Sequence, residues 1–213
     1  MNGFDKIDSQ NIAEYLNGNE DALEMVIERH FRAVYNFIYR LVGNKQNASD
    51  ITQEVFVKVW KNIKKYKNGQ SFKTWLFAIA KNTSIDWLRK KKEYVFSEFE
   101  NEEGENVLED NLADPAPIAD KIIANAEKNK LLDSLLEKLP INYKTVLLLR
   151  YEDEFTFEEI GEVLGKPLNT VKSQNRRALI ALRGLLMGDM HQKSPSSRIK
   201  KYGEELREAL QEP

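Results

Sequence analysis

The sequence predicts an all-α protein of two small helical domains joined by an acidic flexible linker. Three observations carry that expectation. Apolar residues recur at three- and four-residue steps through most of residues 20–92 and 122–188, the rhythm of helices that each bury one stripe. Charge is segregated: residues 20–92 hold 15 Lys and Arg against 7 Asp and Glu, whereas residues 93–127 hold 1 against 11. The chain of 213 residues, 41% hydrophobic, is long enough for two cores, and the stretch between them is punctuated by Asp114-Pro115-Ala116-Pro117.

Residues 1–19 read as an N-terminal lead-in ending in the turn Asn17-Gly18-Asn19. Glu20 and Asp21 then suit the first turn of a helix, where they meet its partial positive charge. That helix runs to about Leu41 with Leu23, Val26, Ile27, Phe31, Val34, Phe37, Ile38 and Leu41 as its inner set, and Gly43 stops it. A second helix from near Asn47 turns Ile51, Val55, Phe56, Val59, Trp60 and Ile63 inward and leaves Asp50, Gln53, Glu54 and Lys58 outside. Asn68 and Gly69 mark a loop from Tyr66 to Ser71.

The stretch SFKTWLFAIAKNTSIDWLRKKK, residues 71–92, forms a third helix from near Thr74. Leu76, Ile79, Ala80, Thr83 and Trp87 face the core, while Lys73, Lys81, Asn82 and Asp86 face out. The helix ends in Arg89, Lys90, Lys91 and Lys92, with Phe72, Trp75 and Phe77 around its entrance. Cations that follow phosphates, beside rings and flat amides that replace base stacking, suit single-stranded nucleic acid. Short connections and matching apolar faces pack these helices as one bundle, residues 20–92.

Residues 93–121 form the linker, since like charges and proline oppose compaction. In the second domain, residues 122–188, a helix from near Ile122 stops at Pro140 and another spans roughly Asn142 to Tyr151. Thr156 and Glu159 have capping-box spacing. Ile160, Val163 and Leu164 face inward, Gly165 to Leu168 make a turn, and a helix from Asn169 or Thr170 follows with Val171, Ala178, Leu182 and Leu185 inside. Lys172, Ser173, Arg176 and Arg177 project outward, so the pair reads as a helix-turn-helix that lays its second helix in a major groove. Residues 189–213 are a C-terminal extension in which Ile199, Tyr202, Leu206 and Leu210 give a short regulatory helix one weak apolar face.

Other function classes find little support. The chain has no cysteine, which removes disulfides and thiolate metal sites, and only two histidines, His30 and His191. Asp50, Glu54 and Asp86 form no metal or acid–base constellation, so no enzyme activity, metal, cofactor or small-molecule substrate is expected. The opening MNGFDKIDSQ has no basic region followed by an apolar run, and no apolar stretch approaches the roughly 18 residues of a membrane span. A cytoplasmic protein without membrane insertion is the expectation.

The motifs resemble those of the extracytoplasmic-function (ECF) sigma factors, group 4 of the sigma-70 family and the smallest promoter-recognition subunits of bacterial RNA polymerase. ASDITQEVFVKVW, residues 48–60, is similar to the family's D-x-x-Q-E-x-F, and FKTWLFAIAKNTSIDWLRKK to its F-x-x-W-L-x-x-I-A-x-N with a basic end. Leu139-Pro140, the LLLR run ending at Arg150, and FEEIGEVLGKPLNTVKS resemble its C-terminal domain. The resemblance covers about residues 11–187. It implies a region 2 domain (20–92) and a region 4 domain (122–188), which select promoters for the polymerase core.

By the same resemblance Asp50, Gln53, Glu54 and Lys58 match the surface for the clamp helices of the largest polymerase subunit. Asn82 matches the contact to the extruded base of the minus-ten element, flanked by Lys81 and Asp86. The Tyr66–Ser71 loop, with Asn68 and Ser71, corresponds to the enclosure of that base, and Arg89 and Lys90 to nearby phosphate contacts. Asn169, Thr170, Lys172, Ser173, Arg176 and Arg177 match the minus-thirty-five reading surface, on a domain that rests on the flap of the second-largest subunit. Gln174 and Asn175 depart from the family pattern, which bears on the DNA sequence read. An anti-sigma factor, often membrane-bound, is the partner the family implies. The residues alone leave open a stand-alone helix-turn-helix regulator of duplex operators.

Overall fold

Residues 3–66, 71–91 and 130–192 are described by a computed structural model, and among them the protein is wholly helical. The elements are α1 (Gly3–Leu16), α2 (Glu20–Val42), α3 (Lys45–Asn62) with a 3-10 turn at Ile63–Lys65, α4 (Phe72–Lys91), α5 (Lys130–Glu137), α6 (Ile141–Leu147) continued by a π turn at Leu148–Glu152, α7 (Phe157–Leu164) and α8 (Leu168–Gln192). The linker and the proposed tail helix lie outside the described residues, as does the start of the helix read from Ile122.

The segment read as a lead-in is a helix. Its composition hides it, because α1 buries only a narrow face: Ile12 is 2% exposed and Asp8 1%. Asp8 is what fastens α1 to α2, accepting from the Arg29 guanidinium and lying 2.7 Å from His30 Nε2. That pairing offsets the cost of burying a carboxylate.

In α2 the inner stripe runs through Leu23, Val26, His30, Val34, Phe37, Ile38 and Leu41. Phe31, expected inside, is 47% exposed; His30 takes the place four residues after Val26 and four before Val34. Gly43 ends the helix with φ 71°, its N–H donating to Tyr39 O at 2.8 Å, a left-handed cap that favours glycine. Asn44 then caps α3 by accepting from Asn47 N–H at 3.0 Å. In α3 Ile51, Val55, Phe56 and Val59 are buried, as is Ile63 in the turn beyond it, but Trp60 is 56% exposed and does not join the core.

Helix α4 begins at Phe72, two residues before Thr74. Ser71 caps it, its hydroxyl accepting from Thr74 N–H at 3.4 Å and donating to Asp5 on α1 at 2.9 Å. Phe72 and Phe77 are fully buried, and Tyr66 packs on Phe72 and Trp75 with its hydroxyl 3.4 Å from Ser9. Burial raises the Tyr66 pKa, a shift that Ser9 opposes and Asp5 and Asp8 reinforce.

In the second unit α6, the π turn, α7 and α8 surround Val146, Leu147, Leu149, Ile160, Val163, Val171, Ala178 and Leu182, all buried. Thr156 caps α7 in a full capping box: its Oγ1 accepts from Glu159 N–H at 3.2 Å, and Glu159 Oε2 accepts from Thr156 N–H at 2.8 Å. The two units pack on each other, and the apolar core runs from one into the other.

Candidate nucleic-acid interface

The recognition pair is built by its turn. Gly165 takes φ 66°, and Lys166 N–H donates back to Gly161 O at 2.9 Å, closing α7 so that α8 starts within three residues. A Cβ on Gly161 would stand 2.9 Å from the Lys166 carbonyl, so the crossing is that close only because the residue is glycine. Helix α8 begins at Leu168, with Val171 N–H donating to Pro167 O at 3.1 Å. Asn169 therefore lies within the first turn and is not the cap. Asn169, Thr170, Lys172, Ser173, Arg176 and Arg177 are all exposed on its outer face.

Gln174 and Asn175 are each 6% exposed and face inward. Asn175 Nδ2 lies 3.4 Å from Tyr151 Oη, and Gln174 Oε1 and Asn175 Oδ1 are buried without partners. These two departures therefore alter the interior of the domain and leave its basic outer face unchanged.

On α4 the outward set is Lys81, Asn82, Asp86, Arg89 and Lys90. Asn82 is exposed and accepts from Lys81 Nζ at 3.0 Å through Oδ1, while Asp86 and Arg89 approach to 4.0 Å one turn on. Burial lowers the Lys81 pKa, and the cations Lys166 and Arg89 lower it further, against Asp86. Lys166 belongs to the recognition turn, so the two candidate DNA faces influence each other. Ser71 is half-buried and engaged with Asp5; Asn68 lies outside the described residues. Phe72 and Phe77 are core residues and offer no ring for stacking.

The face of α3 carries Asp50, Gln53 and Glu54, all exposed, with Lys58 half-buried between Glu54 at 2.8 Å and Thr83 Oγ1 at 3.1 Å. Val57 (47% exposed) and Trp60 (56%) continue the same stripe, and Phe31 (47%) stacks on Phe56 at 5.8 Å beside it. A groove of about 390 Å³ adjoins Trp60, lined by Tyr15, Glu20, Leu23, Glu24 and Ile27. The apolar part of this face is hard to read in the sequence because VFVKVW, residues 55–60, is apolar at every position but Lys58, so the stripe has no clear edge. No group of three or more metal-ligating side chains occurs among the described residues, and none of their helices is long and apolar enough to cross a membrane.

Two family models cover the two units: Sigma-70 region 2 matches residues 26–94 and Sigma-70, region 4 matches residues 129–182. The chain is 36% identical over 174 residues to the ECF RNA polymerase sigma factor SigW of Bacillus subtilis, a match spanning 81% of this chain and 92% of that one. The chain belongs to the ECF RNA polymerase sigma factors. This sigma factor is also 31% identical to SigE of Mycolicibacterium smegmatis over 161 residues, 76% of its own length and 60% of SigE. Its fold is that of CnrH, solved in complex with the cytosolic domain of CnrY (TM-score 0.62, 22% identity, covering 86% of this chain and 99% of CnrH). It is equally that of RpoE from Bartonella quintana, solved with the anti-sigma factor NepR (TM-score 0.58, 22% identity, 78% and 96%). In the sigma factor, most of α2 and all of α3 and α4 lie in the region 2 match, and α5 to α7 with most of α8 in the region 4 match.

Proposed function

We propose how this alternative sigma factor, which directs bacterial RNA polymerase core to specific promoters, divides the work among its surfaces. The observation that carries the reading is the placement of Asn82: an exposed amide on the outer side of α4, fixed by Lys81 and followed by a basic helix end. Opening DNA requires no covalent chemistry from this subunit. It requires the unpaired state to bind more tightly than the paired one. Capturing one flipped base offsets the few kcal/mol of unstacking. With Phe72 and Phe77 in the core, capture rests on the Asn82 amide, Lys81, Asp86 and the loop containing Asn68 beyond Ser71, while Arg89 and Lys90 hold phosphates.

Region 4 reads the minus-thirty-five element with α8. A bidentate Arg176 or Arg177 contact to guanine supplies about 1 to 3 kcal/mol of discrimination, and Lys172 adds salt-sensitive affinity for phosphate. Asn169, Thr170 and Ser173 fix the register, and the domain rests on the flap of the second-largest polymerase subunit. Asp50, Gln53, Glu54 and Lys58, extended by Phe31, Val57 and Trp60, dock on the clamp helices of the largest subunit. The acidic rim of Glu20 and Glu24 beside Trp60 suits a partner helix bearing aliphatic and cationic side chains. The protein is cytoplasmic, has no catalytic activity of its own, and is controlled by an anti-sigma factor, the kind of partner with which RpoE of Bartonella quintana was solved. Such a partner at the membrane would hold the protein at its inner face.

The test is run-off transcription with core polymerase and a promoter library. Asn82→Ala lowers strand opening more than initial binding, and Arg176→Ala weakens selection of the upstream element. Unchanged profiles for both variants overturn the residue assignments.

A further inference from the structure

Helix α1 turns a polar face inward. Asp5, Asp8, Ser9 and Ile12 follow the i, i+3, i+4, i+7 spacing of one helical stripe, yet only Ile12 is apolar. A helix that merely covers a core needs no oxygens on that stripe, because each loses water on docking and must find a partner. All three polar side chains have found one. Ser71 Oγ donates to Asp5 Oδ1 at 2.9 Å, Ser9 Oγ lies 3.4 Å from Tyr66 Oη, and Asp8 accepts from Arg29 and lies 2.7 Å from His30 Nε2. The His30 ring in turn packs on Phe72, the first residue of α4, with centroids 5.6 Å apart.

The pairings converge on one segment, Tyr66 to Phe72. Tyr66 and Ser71 are the two ends of the loop assigned above to the flipped minus-ten base, and Phe72 opens the helix that carries Asn82. At 1.5 Å of rise per residue Asp5 and Ser9 stand about 6 Å apart along α1, so one turn of a single helix holds both ends. Tyr66 also stands edge-on against Phe72 and packs on Trp75, which leaves it 8% exposed. The region 2 match begins at residue 26, so α1, which ends at Leu16, lies outside it.

Ordering a loop at the moment a base arrives costs conformational entropy, and ends that are already fixed leave less to be ordered. We propose that Asp5 and Ser9 are positioning residues for base capture: through Ser71 and Tyr66 they hold the ends of the base-enclosing loop, so that α1 sets how selectively the minus-ten base is taken. Neither residue needs to touch DNA, since each acts through its partner. This deepens the base-capture reading and rests on it.

The test uses holoenzyme reconstituted from core polymerase and the full-length chain, on a promoter drawn from the run-off library, with a fluorescent base analogue in the minus-ten element reporting opening. Single-base changes at the captured position measure discrimination. Asp5→Ala with Ser9→Ala is expected to lower the ratio of opening rates between the preferred base and its substitutes about tenfold, with core affinity and upstream duplex binding kept within about twofold. A merely loosened fold would scale every template alike and leave that ratio intact. The thermal melt stays unchanged, because Asp8 and Ile12 still dock α1. Asp5→Asn keeps an oxygen that accepts from Ser71 and retains discrimination. Asp5→Ala and Ser71→Ala are non-additive, because both remove the same hydrogen bond. Unchanged discrimination in the double variant, equal slowing on every template, a loss in Asp5→Asn as large as in Asp5→Ala, or additivity with Ser71→Ala overturns the positioning role. Asn82→Ala separates this proposal from the reading beneath it. If that variant impairs opening while the α1 variants do not, base capture stands and the proposal falls; if it too leaves opening unchanged, base capture falls and the proposal with it.

Discussion

Trp60→Ala isolates binding from folding. Trp60 is 56% exposed, and on a side chain of roughly 240 Å² that leaves about 130 Å² free to be covered. At about 25 cal/mol per Å² complete burial by a partner is worth about 3 kcal/mol, and the cost of ordering the interface brings the expected loss to about 2 kcal/mol, a thirtyfold rise in Kd. Exposed tryptophans central to an interface lose that much on truncation. Stability moves by less than about 0.5 kcal/mol, since the ring is not in the core. Titrating dye-labelled protein with polymerase core at fixed salt, alongside a thermal melt, reads both quantities. A Kd within about twofold of the unsubstituted protein, with an unchanged melt, refutes the assignment of this face.

Three further substitutions test the region 4 scaffold and its boundary. Thr156→Ala removes the hydroxyl that accepts from Glu159 N–H and costs about 1 kcal/mol of stability by urea unfolding; no loss would mean that the cap is redundant. Gly161→Ala pushes a methyl against the Lys166 carbonyl, and the shift costs about 1 to 3 kcal/mol and misdirects α8, read as lost upstream selection at retained minus-ten activity. Asp153 has its carboxyl raised well above the ordinary 3.8, first by burial and then by Glu152, against Lys73 and Arg40, and its Oδ2 is buried without a partner. Below 3.8 both folded and unfolded forms are protonated and nothing is lost, whereas above the raised value the fold must hold a buried charge. Asp153→Asn therefore stabilises the protein near pH 8, and the advantage fades toward about pH 4; an equal advantage at both ends would exclude Asp153 as the titrating group.

Much of this was legible in the sequence wherever one helical face is plainly apolar and its ends are marked. Gly43, the Thr156–Glu159 box and Gly165 all stand where spacing placed them, because capping chemistry is local. Three sites were less legible for distinct reasons. Where all but one of six successive residues are apolar, as in 55–60 with Lys58 the exception, periodicity cannot say that Val57 and Trp60 point out. Where a polar residue occupies the stripe, the pattern misleads: His30 is inside because Asp8 of another helix awaits it, a pairing of residues 22 apart that no local window contains. Gln174 and Asn175 were readable in principle, lying three and four residues after Val171 and so on its buried side. Treating them as DNA-facing weighed family pattern above helical geometry. Of the outward residues read on α4, Asn82 and Asp86 are exposed, as are those of α8, since a solvated face needs only the complement of the core stripe; Lys81 is half-buried, and Lys73 is half-buried against Asp153 and Phe155, a contact between distant residues that no local window contains.

Helix α8 runs unbroken for 25 residues, from the recognition turn to Gln192. At 1.5 Å of rise per residue it is a rod about 37 Å long, with the proposed base-reading face at its leading end. The residues after Gln192 therefore start from the trailing end, about 22 to 35 Å along the axis from positions 169–177. Under the proposed reading the same rod couples two positions: wherever its leading end meets the groove, Gln192 is held at a fixed distance and direction from it.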